Sequence, residues 1–414
     1  MNNEKIGILI VGLNGATANT TVAGCQLLVK KLAPDYGMIT NRSPFRQAQG
    51  VEASAGSALE FTERPSRTAF TEHRLIPLDR LVFGGWDVNS QDAYQTAGRH
   101  QIIPLNLLQK IKKHLEGIRP MKGVTTSHDA GLFQSQKHLK QTNSLQKKLD
   151  LLVSDVINFK KRNDLQKIII VFLGSSLKPV RPGRIHENIQ NFKKAVRRNH
   201  PGITSGMLYA LAALETNSPF IDFTANNTLE IKALADYARS KNIPLAGQDG
   251  KTGQTMIKTA LAQLLKIKNF KLTGWYSTNL LGNMDGQILS LPEHGQEKLK
   301  DKSGVLAPIL GYEDFDHRVD INYYTPRGDN KEAWDNIDFL GWLGQPMSLK
   351  INWLGRDSIL AGPLVLDLIR LVEYAQRRGR GGLQTQLAFF FKNPLGSKPQ
   401  GLFEEYRMLE QFLK

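Results

Sequence analysis

The sequence has few of the residues that build covalently linked or metal-bound scaffolds. Its 414 residues include one cysteine, Cys25, which excludes an internal disulfide, a cysteine zinc cage and an iron–sulfur cluster. The longest apolar runs, such as Ile6–Val11 and Ile168–Leu173, are much shorter than the roughly 20 residues that cross a bilayer. No basic leader with a cleavage site precedes the first run, so we expect a cytoplasmic protein without a membrane partner.

Acidic residues are also in deficit. There are 38 Asp and Glu against 54 Lys and Arg, a formal net charge of +16, which favours anionic partners such as phosphorylated metabolites, a dinucleotide or nucleic acid. The positive residues are scattered over 137–162, 193–198 and 377–380, and no stretch interleaves them with aromatics as a single-strand binding platform would. We expect mostly solvated basic faces, a mobile surface stretch at Lys137–Lys148, and no nucleic-acid partner.

The order of apolar segments predicts an α/β protein of two domains, or one domain with a large insertion. Strands are predicted at Lys5–Val11, Lys167–Gly174, Pro219–Phe223 and Ile243–Ala246, and the second of these is apolar throughout, as in a parallel strand covered on both faces. Helices are predicted at Asn19–Leu32, Ile185–Asn199, Ser205–Glu215 with the cap Thr204, Leu229–Ser240, and from about Thr252.

The chain changes character from about Phe270 to Asn352. Runs such as Lys271–Ser277 and Arg318–Tyr324 have few good helices between them, which indicates an α+β insertion. Helical periodicity returns at Ser358–Arg377, and we expect this helix to pack back on the first domain.

The first predicted strand ends in a turn of small residues, Gly12–Ala18. Strand, turn and helix in this order would let backbone N–H groups approach a pyrophosphate at the positive end of the helix. Asn14 and Ala18 stand where the GxGxxG pattern has its second and third glycines. A tight turn without a ligand explains the same residues almost as well.

Four later segments hold more polar residues, glycines and lysines than packing requires. Gly247–Thr255 ends a strand and opens a helix, which suits a phosphate cradle, although helix capping by Asp249 or Thr252 is an equal alternative. An Asn/Asp cluster within Ser277–Gly286 could be simple turn chemistry. The other two segments are Arg327–Lys331 and Gly355–Ser358.

Taken together and in order, these segments resemble the signature blocks of the myo-inositol-1-phosphate synthase family, also called inositol-3-phosphate synthases. The resemblance extends from the dinucleotide turn to Lys392, and five colinear blocks are far more specific than one. The matching blocks are GGWD at Gly84–Asp87, GxDxKxGQT at Gly247–Thr255, SxNxLGNxDG at Ser277–Gly286, GD(S/N)K at Gly328–Lys331 and the DS block at Asp357–Ala361.

The resemblance implies a Rossmann-like doubly wound parallel sheet with an inserted α+β catalytic and tetramerisation domain. It implies an NAD-binding domain at 1–255, the insertion at 256–355, a C-terminal segment at 356–414 that returns to the first domain, and a homotetramer. NAD is the implied cofactor, with a monovalent or divalent cation as an option, and glucose 6-phosphate is the implied substrate. The family oxidises carbon 5 of the sugar, enolises the ketone, closes the ring by aldol addition and reduces the product with the same NADH.

The resemblance also implies roles for individual residues. The catalytic groups would be Lys298, Lys302, Lys331, Lys392, Asp249 and Asp357. The substrate would be bound by Thr252, Gly253, Gln254, Thr255, Asn279, Asn283 and Asp285. The cofactor would be bound by Gly12, Asn14, Gly15, Ala16, Thr17, Asp87, Asn227 and Asp249. None of the nine histidines has a metal-ligand spacing, so no transition-metal site is expected.

Lysine chemistry suits these roles. Proton removal needs a base near neutrality, and a lysine can serve when neighbouring cations or desolvation lower its pKa. Lys298 and Lys302 are four residues apart and would share one helix face, although a solvated basic face explains that spacing too. Lys392 follows three phenylalanines, where it could be desolvated or could extend along apolar surface to water.

Several positions depart from the family pattern. The family turn is usually GxGGNNGST, and this chain has fewer glycines there; Gly174–Leu177 stands in place of TxNTER. Thr252 replaces a usual serine, Leu280 a common histidine and Arg356 a common glutamate. Two alternative functions therefore stay open, a related NAD-dependent enzyme acting on another sugar phosphate, and a non-catalytic dinucleotide- or nucleic-acid-binding protein.

Overall fold

The computed structural model describes residues 4–41, 75–129, 137–175, 179–282, 304–398 and 400–414. Within these ranges no helix is long and apolar enough to cross a membrane. Four predicted site residues lie outside the described residues, namely Asn283, Asp285, Lys298 and Lys302, as does part of the Gly174–Leu177 block.

A seven-stranded sheet forms the larger part of the fold, and all of its strand pairs are parallel. Its strands are β1 (Ile6–Val11), β2 (Leu81–Asp87), β3 (Met121–Lys122), β4 (Lys167–Phe172), β5 (Phe220–Asp222), β6 (Pro244–Ala246) and β11 (Gly382–Leu383). Their order is β11-β6-β5-β4-β1-β2-β3, so the chain adds β2 and β3 on one side of β1 and the later strands on the other, as in doubly wound dinucleotide-binding sheets. The predicted Rossmann-like fold is therefore confirmed.

Helices cover both faces of this sheet. Ile8 and Ile10 of β1 belong to one buried cluster and Leu9 and Val11 to another, because successive strand residues point to opposite faces. Burial on both faces explains why the strand sequences are apolar throughout. The helices are α1 (Ala16–Val29), α2 (Ala93–His100), α3 (Leu105–Glu116), α4 (Leu145–Arg162), α5 (Ile189–Arg197), α6 (Ser205–Glu215), α7 (Lys232–Ser240), α10 (Asp357–Arg377) and α11 (Leu402–Leu413).

Helix boundaries differ from the predicted ones where local capping decides. The helix α6 begins and ends as predicted, and the Thr204 side chain accepts the N–H of Met207. The helix predicted from Ile185 starts only at Ile189, because a 3-10 turn precedes it and Asn188 caps it. The helix α1 starts at Ala16, three residues before the predicted start.

The prediction of a mobile surface stretch at Lys137–Lys148 is wrong, because lysines in both halves of the segment have partners in the fold. Lys140 pairs with Asp155 at 2.8 Å, and α4 begins at Leu145. Lys148 is buried and its amine donates to the carbonyl of Thr125 at 2.5 Å. Long basic side chains can satisfy their charge inside a fold as well as in solvent, which composition alone does not reveal.

A second, mixed sheet has the order β10-β9-β7-β8, with β7 and β8 parallel and the other pairs antiparallel. Its strands are β7 (Lys271–Leu281), β8 (Asp316–Tyr323), β9 (Asn330–Leu340) and β10 (Pro346–Arg356). One face packs on α8 (Gly253–Ile267) and α9 (Leu306–Leu310) around Trp275. The opposite face is open and exposes Tyr276 and Trp334.

The helix α10 returns from the second sheet to the first, as the sequence predicts. A Cβ atom on its Gly362 would stand 3.5 Å from Thr20 of α1. Its buried Asp367 accepts the N–H groups of Ile39 and Thr40. The start of α10 therefore lies where the two sheets meet.

Candidate active site

The turn after β1 has the backbone conformation that a dinucleotide site requires. Gly12 has φ +82°, and a Cβ atom there would stand 2.9 Å from the Cα atom of Gly174. Gly15 is the N-cap of α1, and no side chain caps the first N–H groups of this helix, which include those of Ala16 and Thr17. These residues fit a bound pyrophosphate.

Asn14 explains how the turn works with fewer glycines. Its amide donates to the carbonyls of Asn89 and Gln91 at 3.0 and 2.8 Å, so the side chain points away from the cradle formed by Gly12. Its backbone N–H donates to Asp87 Oδ2 at 2.8 Å. Burial raises the pKa of Asp87, and N–H donors from Asn14 and Asn89 oppose that shift. Asp87 thus lies beside the turn, and its contact with a cofactor stays a prediction.

Asn227 is a predicted cofactor residue that lies far along the chain from this turn. Its side-chain amide donates to the carbonyl of Val180 at 2.7 Å and accepts the N–H of the same residue at 3.3 Å. Both polar atoms of the side chain are therefore bonded to one neighbouring loop. Its contact with a cofactor stays a prediction.

The loop after β6 carries Asp249 and places it next to Lys392. Asp249 has φ +59°, and its N–H donates to the carbonyl of Thr224 at 2.8 Å. Its carbonyl accepts the N–H of Lys392 at 2.7 Å, and its Oδ1 accepts the Lys392 amine at 2.8 Å. Backbone and side chain together hold this predicted catalytic pair.

A second predicted pair lies on the other side of the same loop. The Lys331 amine is 3.4 Å from Asp357 Oδ2, and the Thr252 hydroxyl donates to Asp357 Oδ1 at 3.4 Å. Thr252 is the N-cap of α8, yet no side chain caps the helix. Capping by Asp249 or Thr252, the alternative to a phosphate cradle, is therefore not what the structure shows. Gly253 is the first residue of α8 and has φ +36°.

The second sheet forms the floor beside these pairs. Asn279, Ala333 and Trp353 are aligned across β7, β9 and β10, so their side chains share one face. Lys331 occupies the next row on that face, opposite Gly355. Asn279 is fully buried, and its Oδ1 atom has no hydrogen-bond partner among the described residues.

A buried carboxylate, which the sequence analysis missed, closes the inner end of this floor. Asp335 accepts the Gln254 amide at 2.9 Å, the Trp275 indole at 2.7 Å and the Ser277 hydroxyl at 2.6 Å. Gln254 is thereby fixed in the first turn of α8, next to the buried Thr255. The available signal was an aspartate on the apolar-facing side of a strand.

Asp329 was also missed, although it lies in the GDNK block. Its Oδ1 accepts the Ser358 hydroxyl at 2.9 Å, which links β9 to the first turn of α10. Burial raises the pKa of Asp329, and the nearby Asp357 carboxylate raises it further. The departure Arg356 lies close by, and its guanidinium donates to the carbonyl of Ile102 at 2.9 Å. This arginine joins the end of β10 to the loop between α2 and α3.

Two buried lysines near the site have structural partners. Lys251, inside the GxDxKxGQT block, forms an ion pair with Glu405 of α11, and both side chains are almost completely buried. Lys258 of α8 lies 3.0 Å from His317, and burial lowers its pKa to about 8. Lys251 shows that a lysine inside a family block can serve packing, here between the loop before α8 and α11.

The described part of the predicted catalytic and substrate set converges on the start of α8. Asp249 and Thr252 are three residues apart, so their Cα atoms are separated by at most about 11 Å. The two lysine–aspartate pairs therefore flank one turn. The predicted residues in this group are Asp249, Thr252, Gly253, Gln254, Thr255, Asn279, Lys331, Asp357 and Lys392.

Comparison with known proteins identifies the family to which this chain belongs. Residues 6–414 match the family model for myo-inositol-1-phosphate synthase. The chain belongs to this family. The resemblance seen in its five sequence blocks is confirmed, and with it the classification as an enzyme of the NAD-binding, inositol-phosphate synthase class.

Curated relatives and solved structures give the extent of the similarity. Inositol-3-phosphate synthase 1 of Bacteroides thetaiotaomicron is 34% identical over 422 residues, which cover 99% of this chain and 95% of that protein. Inositol-3-phosphate synthase of Saccharomyces cerevisiae is 27% identical over 99% of this chain and 85% of its own length. The crystal structure of the Caenorhabditis elegans inositol-3-phosphate synthase superposes with a TM-score of 0.85 at 21% identity, covering 100% of this chain and 86% of that one, which shows the common fold.

Proposed function

We propose that this member of the myo-inositol-1-phosphate synthase family converts glucose 6-phosphate to myo-inositol phosphate without net oxidation or reduction. The observation that carries the proposal is the pair of lysine–aspartate contacts, Lys392–Asp249 and Lys331–Asp357, on either side of one helix start. That helix start has the features of a phosphate site, and the two pairs supply acid–base groups beside it.

The phosphate is held at the first turn of α8. Uncapped N–H groups and the positive end of the helix dipole favour an anion there. The Thr252 hydroxyl lies at the same turn and retains the donor of the family's usual serine. The bond between Gln254 and Asp335 keeps this turn in place against the second sheet.

Acid–base work is assigned to Lys392 and Asp249. The Lys392 amine donates to Asp249 Oδ1, so a proton that one of these two groups takes from a sugar hydroxyl can pass to the other. The backbone bond between Lys392 and Asp249 fixes the distance between them. This rigidity keeps both groups in position before the substrate binds.

Stabilisation of enolate charge is assigned to Lys331 together with Lys298 and Lys302. Lys331 projects from the floor of the site, where an ammonium group oriented by Asp357 can offset negative charge developing on a sugar oxygen. The buried Asn279 lies in the neighbouring row and is suited to bind a sugar hydroxyl. Asn283 and Asp285 are proposed to bind the sugar as well.

NAD, bound in the crevice of the larger sheet, would supply the acceptor and then the donor of one hydride. Gly12 and Gly15 allow its pyrophosphate to approach the backbone, and the start of α1 at Ala16 and Thr17 faces that position. Asp87 is positioned to bind a ribose hydroxyl, with Asn14 holding the loop that carries it.

We also propose the domain division and assembly that the resemblance implies. Residues 1–255 bind NAD, 256–355 form the catalytic and assembly domain, and 356–414 return to the first. The open face of the second sheet, which exposes Tyr276 and Trp334, supports association into a homotetramer.

We propose a cytoplasmic location, which agrees with the single cysteine. We also propose a cation beside the phosphate. Loss of activity with a chelator, or on exchange of the monovalent salt, would test for this cation.

The decisive experiment incubates the enzyme with glucose 6-phosphate and a trace of NAD. We expect many equivalents of inositol phosphate per NAD and no accumulation of NADH. Steady accumulation of NADH would instead identify a simple dehydrogenase. No reaction, with NAD still bound, would favour the non-catalytic alternative.

A further inference from the structure

Trp353 lies beside the proposed phosphate site, although no sequence motif includes it. Its indole Nε1 is 3.6 Å from the position of a Cβ atom built on Gly253. Oδ1 of Asp357 is 3.9 Å from the same point. The indole therefore lies close to the first turn of α8 and to a catalytic carboxylate.

Among the described residues, the indole N–H has no acceptor. Nε1 is buried and has no hydrogen-bond partner within the described ranges. An indole N–H can only donate, and buried donors in native proteins are almost always paired with protein, water or ligand. An acceptor atom of a bound molecule would satisfy it.

The register of the second sheet places a second unpaired polar atom opposite this donor. Trp353 and Asn279 flank Ala333 in one row, on the same face, and Oδ1 of Asn279 also has no partner in the described part of the chain. Two strand spacings put their Cα atoms roughly 10 Å apart. Ala333 lies between them, so the indole donor and the amide acceptor belong to one row of the face that packs towards α8.

Gly355 permits the position of the indole. A Cβ atom at Gly355 would stand 2.5 Å from Nε1 of Trp353, closer than packed atoms can approach. Gly355 also lies opposite Lys331 in the next row of the sheet. Because Gly355 has no side chain, the indole of Trp353 can lie over it and reach the start of α8.

We propose that Trp353 is a further substrate-binding residue, whose indole N–H donates to a phosphate oxygen of the substrate at the start of α8. The inference rests on the proposed function, since that function places the phosphate there. A phosphate oxygen is favoured over a hydroxyl because the helix dipole concentrates negative charge at this turn and anionic acceptors form the stronger bonds.

The test compares Trp353→Phe, which keeps a ring and removes the donor, with Trp353→His, which restores a ring N–H. Trp342→Phe, at an exposed turn of the second sheet, is the matched control. We expect Trp353→Phe to raise the KM for glucose 6-phosphate about tenfold with little change in kcat or in the KM for NAD. Trp353→His should recover part of the loss.

Calorimetric titration of the NAD-loaded enzyme with inorganic phosphate separates this inference from the proposed function. Weaker phosphate binding by Trp353→Phe, with wild-type binding by Trp342→Phe, supports it even if no inositol phosphate is formed. Equal phosphate affinity and equal KM in wild type and Trp353→Phe would overturn it while leaving cyclase activity intact. If Trp353→Phe does not fold, Trp353→His must still bind phosphate within about threefold of wild type, and a larger loss would contradict the donor role.

Discussion

The amine of Lys392 lies 2.8 Å from Oδ1 of Asp249, although 143 residues separate them in the chain. The segment around Phe391 pairs antiparallel with Gly250, so the contact is built into the backbone. Asp249 is thereby held between the larger sheet and the C-terminal segment. The acid–base pair depends on this packing more than on local sequence.

The first prediction concerns the amine itself. Lys392→Met keeps the apolar stem and removes the charge, so we expect kcat for inositol phosphate formation to fall by roughly three orders of magnitude. The Asp249 carboxylate loses its partner, so the melting temperature should fall as well, and kcat is measured below that temperature. Lys113→Met, at an exposed position in α3, is the control and should leave kcat unchanged. A Lys392 variant within tenfold of wild type would remove Lys392 from the mechanism.

The second prediction concerns the dinucleotide turn. Gly12→Ala forces a Cβ atom against Gly174 and strains a left-handed residue, so NAD should bind at least tenfold more weakly. Fluorescence titration with NAD measures this. Gly24→Ala, inside α1 where a Cβ atom meets no other atom within 4 Å, should leave NAD affinity unchanged and stabilise the helix by about 0.5–1 kcal/mol. Equal effects of the two changes would argue against the cradle.

The third prediction concerns the buried ion pair of Lys251 and Glu405. Replacing Lys251 by Met leaves a buried carboxylate unpaired, and we expect a loss of about 3–5 kcal/mol in the free energy of unfolding. The double variant Lys251→Met/Glu405→Leu should recover most of that loss, because no charge is left to desolvate. Urea denaturation of both single variants and the double variant completes the cycle. Additive losses would show that the pair is not coupled.

The fourth prediction is that Asp222 makes the free energy of unfolding depend on pH. Burial raises the pKa of Asp222 from 3.8 to about 7. Between these values the unfolded chain has lost this proton and the folded chain keeps it, so the contribution of Asp222 to stability falls as pH rises from about 4 to 7. The loss is on the order of a few kcal/mol and is complete above pH 7.

Asp222→Asn removes this titration. We therefore expect the stability of the variant relative to wild type to increase between pH 5 and pH 8, as measured by urea unfolding at several pH values. A stability difference that stays constant across the range would show that Asp222 titrates normally.

Much of the fold could be predicted from the sequence because it depends on local signals. The apolar runs of β1 and β4 indicated strands buried on both faces, and Thr204 marked the start of α6. The late start of the helix at Ile189 could not be predicted, since Asn188 and a preceding 3-10 turn compete with an equally helical sequence. Buried lysines such as Lys148 depend on partners distant in the chain.

The site was predictable where its residues lie in recognisable blocks and hidden where they lie in ordinary strands. Asp249 and Asp357 stand out as polar residues beside glycines at the ends of strands. Asp335 and Trp353 lie in β9 and β10, whose alternating pattern predicts which face of the sheet each side chain is on. The pattern does not predict which residues of other elements pack on that face. Their contacts with α8 arise only from packing.

Isotope transfer distinguishes redox-neutral use of one NAD from net oxidation of the sugar. Glucose 6-phosphate carrying deuterium at carbon 5 would be converted with a trace of unlabelled NAD, and the product examined by mass spectrometry. We expect inositol phosphate that retains the deuterium, because the hydride removed at carbon 5 is returned within the same turnover. Product without deuterium, or deuterium accumulating in free NADH, would contradict it.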